Sequence, residues 1–215
     1  MKELYWNTVQ PILKNVLQDI INEPIFKSFR LVGGTSLSLQ LGHRMSVDID
    51  LFTDAEYGSI DYKEIKEFLT IKYPFCVSRN LENVSFGTNF VVGNSKTDCV
   101  KIDFYYTDSF IEKPIIIEDI RMATKNEIIA MKLDIVLRGG RKKDFWDLHY
   151  FLDKLSFDEM ISLFTQRYPY NDDFNLIKKQ LANFDVADTD FEPICLMGKN
   201  WELIKLDFYE MFQKQ

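Results

Sequence analysis

The chain has 215 residues, of which 46% are hydrophobic and 27% charged, with Phe 18 and Tyr 10 to fill a sizeable core. Its net charge of −7 argues against a protein that coats nucleic acid non-specifically, because such binding is driven by neutralising phosphates. That balance still permits a basic patch beside an acidic site, and the length suits one core with an appended helical part.

The opening stretch, MKELYWNTVQPILKNVLQDI, has no long apolar run and no small-residue cleavage site, so no signal peptide is expected. No later segment reaches the ~18 apolar residues of a membrane span. Within residues 4–21, Tyr5, Val9, Ile12, Leu13, Val16, Leu17 and Ile20 recur at helical spacing, with Pro11 delaying or kinking the start. FRLV (29–32) reads as a short strand stopped by Gly33-Gly34, residues 35–41 as a short helix, 46–53 as a strand and 62–73 as a helix. Three strand-like runs follow, at about 75–81, 86–93 and 98–106, with GNSK turning between the last two. PIIIEDI offers an edge strand.

After Thr124 the pattern becomes helical. Lys125–Leu137 is ended by Gly139-Gly140, and Lys143–Leu155 follows. SFDE (156–159) is a capping box opening a third helix, and further helices fit 172–184 and 199–213. The expected fold is α+β: residues 1–124 form a mixed-sheet core with flanking helices, and residues 125–215 a C-terminal helical subdomain that completes the site.

Cys76, Cys99 and Cys195 lie far apart without a C-x-x-C pair, and His43 and His149 are the only histidines. A Cys/His zinc site is therefore not expected, and the cysteines read as reduced core residues of a cytoplasmic protein.

The chemistry concentrates in LVGGTSLSLQLGHRMSVDIDLF (31–52). On a strand, side chains alternate faces, so Val47, Ile49 and Leu51 are expected in the core and Ser46, Asp48 and Asp50 opposite it. Two carboxylates roughly 6.5–7 Å apart repel unless a cation or water intervenes. Paired Mg²⁺ ions held by carboxylates are the usual arrangement for phosphoryl and nucleotidyl transfer. CVKIDFYY repeats the geometry, with Lys101 and Asp103 on one face, so a neighbouring strand there would add a third carboxylate. Gly33-Gly34 permits a tight turn and close approach of a ligand. Thr35-Ser36 at the next helix start makes a phosphate cradle, although a plain strand-to-helix turn has the same composition. Strand, G-G-T-S, helix, D-x-D and a later K-x-D strand together have the organisation of the nucleotidyltransferase fold.

A second constellation is MKLDIVLRGGRKKDFWDLHYFL (131–152). Lys132 and Arg138 share a helix, Arg141, Lys142 and Lys143 occupy the following loop, and Asp144 and Asp147 share one face of the next helix. His149 reads as a partly buried helix residue. Trp146 reads as packing, with base stacking as a second use.

These motifs, from about Phe29 to Leu155, resemble the AbiEii/AbiGii family of nucleotidyltransferases, which includes toxins of toxin–antitoxin and phage-defence systems. The resemblance implies that Gly33, Gly34, Thr35 and Ser36 contact the triphosphate, that Asp48, Asp50 and Asp103 hold metal, and that Lys132, Arg138, Lys143, Asp144 and Asp147 form the family's helical motif. Lys132 would neutralise phosphate. Asp103, or else Asp144, would be general base, and Arg138, Lys143 and Asp147 would serve nucleotide binding. Lysine at 143 stands where the family more often has arginine, which removes a bidentate phosphate contact. The implied reaction is transfer of NMP from NTP, with Mg²⁺ or Mn²⁺, to an acceptor such as the tRNA 3′ end, and the implied partner is an antitoxin. Two alternatives stand beside it: the same chemistry on a small molecule or a protein hydroxyl, and a non-catalytic nucleotide-binding partner protein. No membrane association is expected.

Overall fold

The strand that carries the D-x-D motif sits in the middle of a seven-stranded mixed sheet. The computed structural model describes residues 3–79, 81, 86–171 and 173–213. Residues 80 and 172, which the expected elements 75–81 and 172–184 include, lie outside the described residues. The strands are β1 (Arg30–Leu31), β2 (Asp48–Thr53), β3 (Phe75–Ser78), β4 (Gly87–Ser95), β5 (Asp98–Tyr106), β6 (Ile115–Ile117) and β7 (Ile120–Met122), in spatial order β3-β4-β5-β2-β1-β7-β6. The β2–β5 and β1–β7 pairs are parallel and the others antiparallel. PIIIEDI thus supplies a hairpin rather than one edge strand. Glu118 and Asp119 both have positive φ at its tip, the backbone a two-residue hairpin turn requires.

The helices are α1 (Pro11–Ile20), α2 (Gly33–Leu41), α3 (Tyr62–Lys72), α4 (Lys125–Leu137), α5 (Lys142–His149), α6 (Phe157–Arg167), α7 (Phe174–Leu181), α8 (Asp185–Asp188) and α9 (Trp201–Gln213). Pro11 opens α1, where its missing N–H costs nothing, so the apolar pattern before it becomes a 3-10 turn at Trp6–Thr8. Ser156 and Glu159 form the expected capping box of α6. Thr124 caps α4 by accepting from the Glu127 N–H.

The described residues form two apolar cores. In the first, the sheet packs against α1 and α3, with Phe104 meeting Phe26, Phe29 and Phe90 at ring separations of 5.4, 5.2 and 5.9 Å. The second gathers α4 to α9 around Phe145, Phe164, Phe184, Trp201 and Phe208. Helix α2 joins them: Leu39 is buried in the first, Leu37 and Leu41 in the second. It is buried nearly all round, which explains why its short sequence lacks a polar stripe. The carboxylate strand is therefore held between two packed bodies. Cys76, Cys99 and Cys195 are free thiols and only partly buried, not the core residues expected.

Candidate active site

Strand β2 alternates as expected from Asp48 onward: Ile49, Leu51 and Thr53 are buried, and Asp48, Asp50 and Phe52 face the other way. Val47 departs from expectation, because the strand begins one residue later and leaves it 65% exposed. The parallel pairing sets Asp50 opposite Asp103 and Asp48 opposite Lys101. Three carboxylates and one ammonium thus share one patch of sheet. Lys101 Nζ lies 2.5 Å from Asp103 Oδ2, and Lys143 Nζ 4.0 Å from Asp48 Oδ2. Burial, reinforced by Asp103 and Asp48, pushes Asp50 up to about 6 although Lys132 and Lys143 pull the other way. Burial would lower Lys101, but Asp103 beside it holds the ammonium above its usual value.

Gly33 and Gly34 are the first residues of α2, not a loop before it. Gly33 has φ +66, and a Cβ there would collide with the Asp50 carboxylate. A Cβ on Gly34 would collide with Arg44 Nη2. The glycines therefore let the helix N-terminus close directly onto the acidic strand. Its first N–H groups lack intrahelical acceptors and carry the positive end of the helix dipole. The hydroxyls behave differently from the sequence expectation. Thr35 and Ser36 are both fully buried. Thr35 Oγ1 is within bonding reach of Ser46 Oγ at 2.8 Å and of the Asp48 carbonyl, and Ser36 Oγ accepts from Gln40 Nε2 at 3.0 Å. Thr35 braces the helix against β2, and Ser36 bonds within α2, instead of either facing outward.

The helical motif forms a buried charge network. Asp147, with no exposed surface, accepts from Arg44 Nε and Nη2 at 2.6 and 2.8 Å and lies 2.8 Å from His43 Nε2. Lys132 Nζ reaches Asp144 at 2.5 Å and Asp147 at 2.7 Å. Asp144 also accepts from the Arg141 N–H at 3.0 Å, capping α5. Burial alone would raise Asp147, but Arg44 and Lys132 hold it well below the usual carboxylate range. Burial likewise opposes the charge on Lys132 and Arg44, and the two aspartates more than offset it, so both stay above their usual values. Burial lowers His43, which favours the neutral imidazole despite Asp147.

The sequence-derived residues thus fall into separate groups. Asp48, Asp50, Asp103, Lys143 and the Gly33-Gly34 backbone converge. Lys132, Asp144 and Asp147 lie behind them, buried and mutually paired. Arg138 stands apart, its guanidinium paired with Asp134 and largely exposed. The basic loop is also split. Helix α5 starts at Lys142, so successive side chains splay by about 100°. Lys142 is buried with Nζ 5.4 Å from the Trp201 ring centroid, Arg141 pairs with Asp190 at 3.1 Å, and only Lys143 turns to the carboxylates. Trp146 is stacked on Trp201 at 6.3 Å and closed to any base. Sequence reading overlooked Arg44 and His43. The available signal was complementarity: a buried Asp147 requires buried donors, and GHRMS places two just before the acidic strand.

A divalent cation fits the donor chemistry of the β2–β5 face, since the strand register puts the hard oxygen donors of Asp48, Asp50 and Asp103 on one face. Among the described residues no three acidic, His or Cys side chains stand as a ready-made cage.

The profile of the family described as the AbiEii nucleotidyl transferase toxin, Type IV TA system, matches residues 15–212. The chain belongs to the AbiEii family. An uncharacterised protein of Aquifex aeolicus (strain VF5) is 30% identical over 184 residues, covering 81% of this chain and 82% of that one. The fold is similar to a candidate nucleotidyltransferase of H. pylori, at TM-score 0.59 and 19% identity over 94% of this chain and 90% of that one. It is equally similar to MenT4, a nucleotidyltransferase toxin of Mycobacterium tuberculosis H37Rv, at TM-score 0.59 and 15% identity over 93% and 82%. At these identities the two structures speak for the fold. The AbiEii assignment makes the chain a nucleotidyltransferase of a type IV toxin–antitoxin family. No helix among the described residues of this AbiEii protein is long and apolar enough to cross a membrane.

Proposed function

We propose that the protein transfers a nucleoside monophosphate from an NTP to a hydroxyl at an RNA 3′ end, that of tRNA in the first instance, with Mg²⁺ or Mn²⁺ as cofactor. The observation that carries this reading is the register of β2 on β5, which aligns Asp50 with Asp103 and keeps Asp48 on the same face under the N-terminus of α2. Asp48, Asp50 and Asp103 would hold the metal, which when bound supplies Lewis-acid stabilisation of the attacking and leaving oxygens.

The first-turn N–H groups at Gly33 and Gly34 receive the triphosphate. Lys143 and Lys101, each within reach of a carboxylate, add positive charge at the edge of the same face. The acceptor oxygen attacks the α-phosphorus, the bond from that phosphorus to the β-bridging oxygen breaks, and pyrophosphate leaves. Asp103 takes the acceptor proton. Asp144 is less suited to that task, being committed to Lys132 and the α5 cap. Lys132 and Asp147 act at one remove, by fixing Arg44 and thereby the approach of α2 to β2. Residues 125–215 would then be the part that completes a site built on residues 1–124. Toxicity would follow from blocking the acceptor end of tRNA in the cytoplasm, relieved by a cognate antitoxin and serving phage defence.

The test is incubation with each labelled NTP, Mg²⁺ and total RNA. Label on tRNA-sized species that disappears in Asp50→Asn is expected. Label on no RNA, with turnover retained on another hydroxyl, would overturn the acceptor assignment.

A further inference from the structure

Beyond the carboxylates, at the C-terminal ends of β2 and β5, lies a cavity of about 560 Å³ lined in part by Phe52, Tyr57, Phe86, Tyr106, Asp134 and Arg138. It adjoins the site through Phe52, which is two residues past Asp50 on the same face of β2. Its volume falls within the range of small-molecule pockets. Its lining has two parts. Tyr57 stands 5.7 Å from Phe86 and 5.3 Å from Tyr106, centroid to centroid, and Tyr57 and Phe86 remain 60% and 68% exposed. Two large rings side by side with open faces are costly to leave in water. The wall also holds Asp134 of α4 and Arg138 just past its C-terminus, paired with one another, and Arg138 keeps most of its donors free to solvent. Asp108 is also in the wall, so the cavity carries no cationic excess. That composition is unsuited to a triphosphate. It suits a flat, uncharged heteroaromatic ring with donors and acceptors on its edge.

We propose that this cavity is a nucleobase subsite, in which Tyr57 and Phe86 stack the base and the Asp134–Arg138 pair reads its edge. The proposal rests on the carboxylate face being the transfer centre, since Phe52 ties the base to that face. Two sources present the same chemistry: the base of the NTP and the terminal base of the acceptor strand. The family resemblance groups Arg138 with the nucleotide contacts, and the cavity places it beside exposed rings.

The test is binding without turnover. Wild type, Tyr57→Ser/Phe86→Ser and Arg138→Gln are titrated, with Mg²⁺ present, with the four NTPs, inorganic tripolyphosphate and a single-stranded RNA oligonucleotide. The substituted rings are surface-exposed, and an unchanged Tm verifies folding. Roughly tenfold weakening per stacked base is expected for the ligand that supplies it, with tripolyphosphate unaffected. Weakening confined to NTPs assigns the NTP base, with Arg138→Gln altering the ranking of the four. Weakening confined to the oligonucleotide assigns the acceptor base. Wild-type affinities for all ligands in both variants would overturn the subsite, whatever the transfer assay gives. Conversely, a wild type that binds through these rings and labels nothing would overturn the transfer reading and leave the subsite standing.

Discussion

Arg44 grips both oxygens of Asp147 from the far side of the sheet–helix junction, at 2.6 and 2.8 Å, and neither residue has appreciable exposure. Arg44 precedes the acidic strand, and Asp147 belongs to the helical half of the chain. This contact, with Lys132 on the same carboxylate, is what fixes the two halves at the site.

Asp147→Asn leaves two buried cations with one full negative charge fewer. Breaking a buried pair from one side costs about 3–5 kcal/mol. Denaturant unfolding is the measurement, and a loss under about 1 kcal/mol would mean the network is wetter than the structure implies. Because Asp147 is held well below its usual range, its stabilisation is present at neutral pH. It is lost only as pH falls below the unfolded value near ~4.

Asp50 has the opposite sign. Its folded value is raised to about 6, so the native metal-free protein binds this proton more tightly than the unfolded chain does. Stability from this group therefore falls as pH rises from about 4 to about 6. Asp50→Asn is expected to flatten Tm against pH across that window and to raise Tm at pH 7 by a few degrees, on the order of 1 kcal/mol. The same substitution abolishes transfer, as does Asp48→Asn. An unchanged Tm profile in Asp50→Asn would contradict the burial of the Asp50 carboxylate beside Asp103.

Gly33→Ala meets two obstacles at once, a positive φ and the Asp50 carboxylate. The backbone alone costs about 1–2 kcal/mol for an L-residue with a side chain. Activity should fall further than stability, because Asp50 must move. Ser36→Ala, by contrast, removes a buried hydroxyl bonded to Gln40 and should reduce stability with little change in NTP affinity. Calorimetric titration of both variants with NTP separates the two cases.

Arg141, Lys142 and Lys143 are adjacent in sequence but not equivalent. Lys143→Gln and Arg141→Gln should weaken RNA binding, each lowering the slope of log affinity against log salt by roughly 0.7 for single-stranded contacts. Lys142→Gln should leave the slope alone and lower stability, since its chain packs beside Trp201. Equal slopes in wild type and the Arg141/Lys143 double variant would move the RNA to another surface.

What the sequence determined by itself was local and periodic. Alternation in DIDLF put the aspartates on one face, Thr124 and Gly139-Gly140 bounded the helix Lys125–Leu137, and SFDE marked its helix start. Each depends on neighbours within a turn or a pleat. The organisation of the motifs was enough to indicate a nucleotidyltransferase. Tertiary structure alone decided which charges meet. Asp50 opposite Asp103 follows from a parallel register across fifty-odd residues, and Asp147 beside Arg44 from packing α5 against the segment after α2. The hydroxyls of Thr35 and Ser36, legible as a phosphate cradle, turn inward because α2 is enclosed by both cores. Lys142 leaves its basic neighbours because a helix starts beneath it and Trp201 offers an apolar wall. Burial is the physical reason in every case. A sequence states which groups carry charge, and the fold decides which lose their water and must therefore find one another.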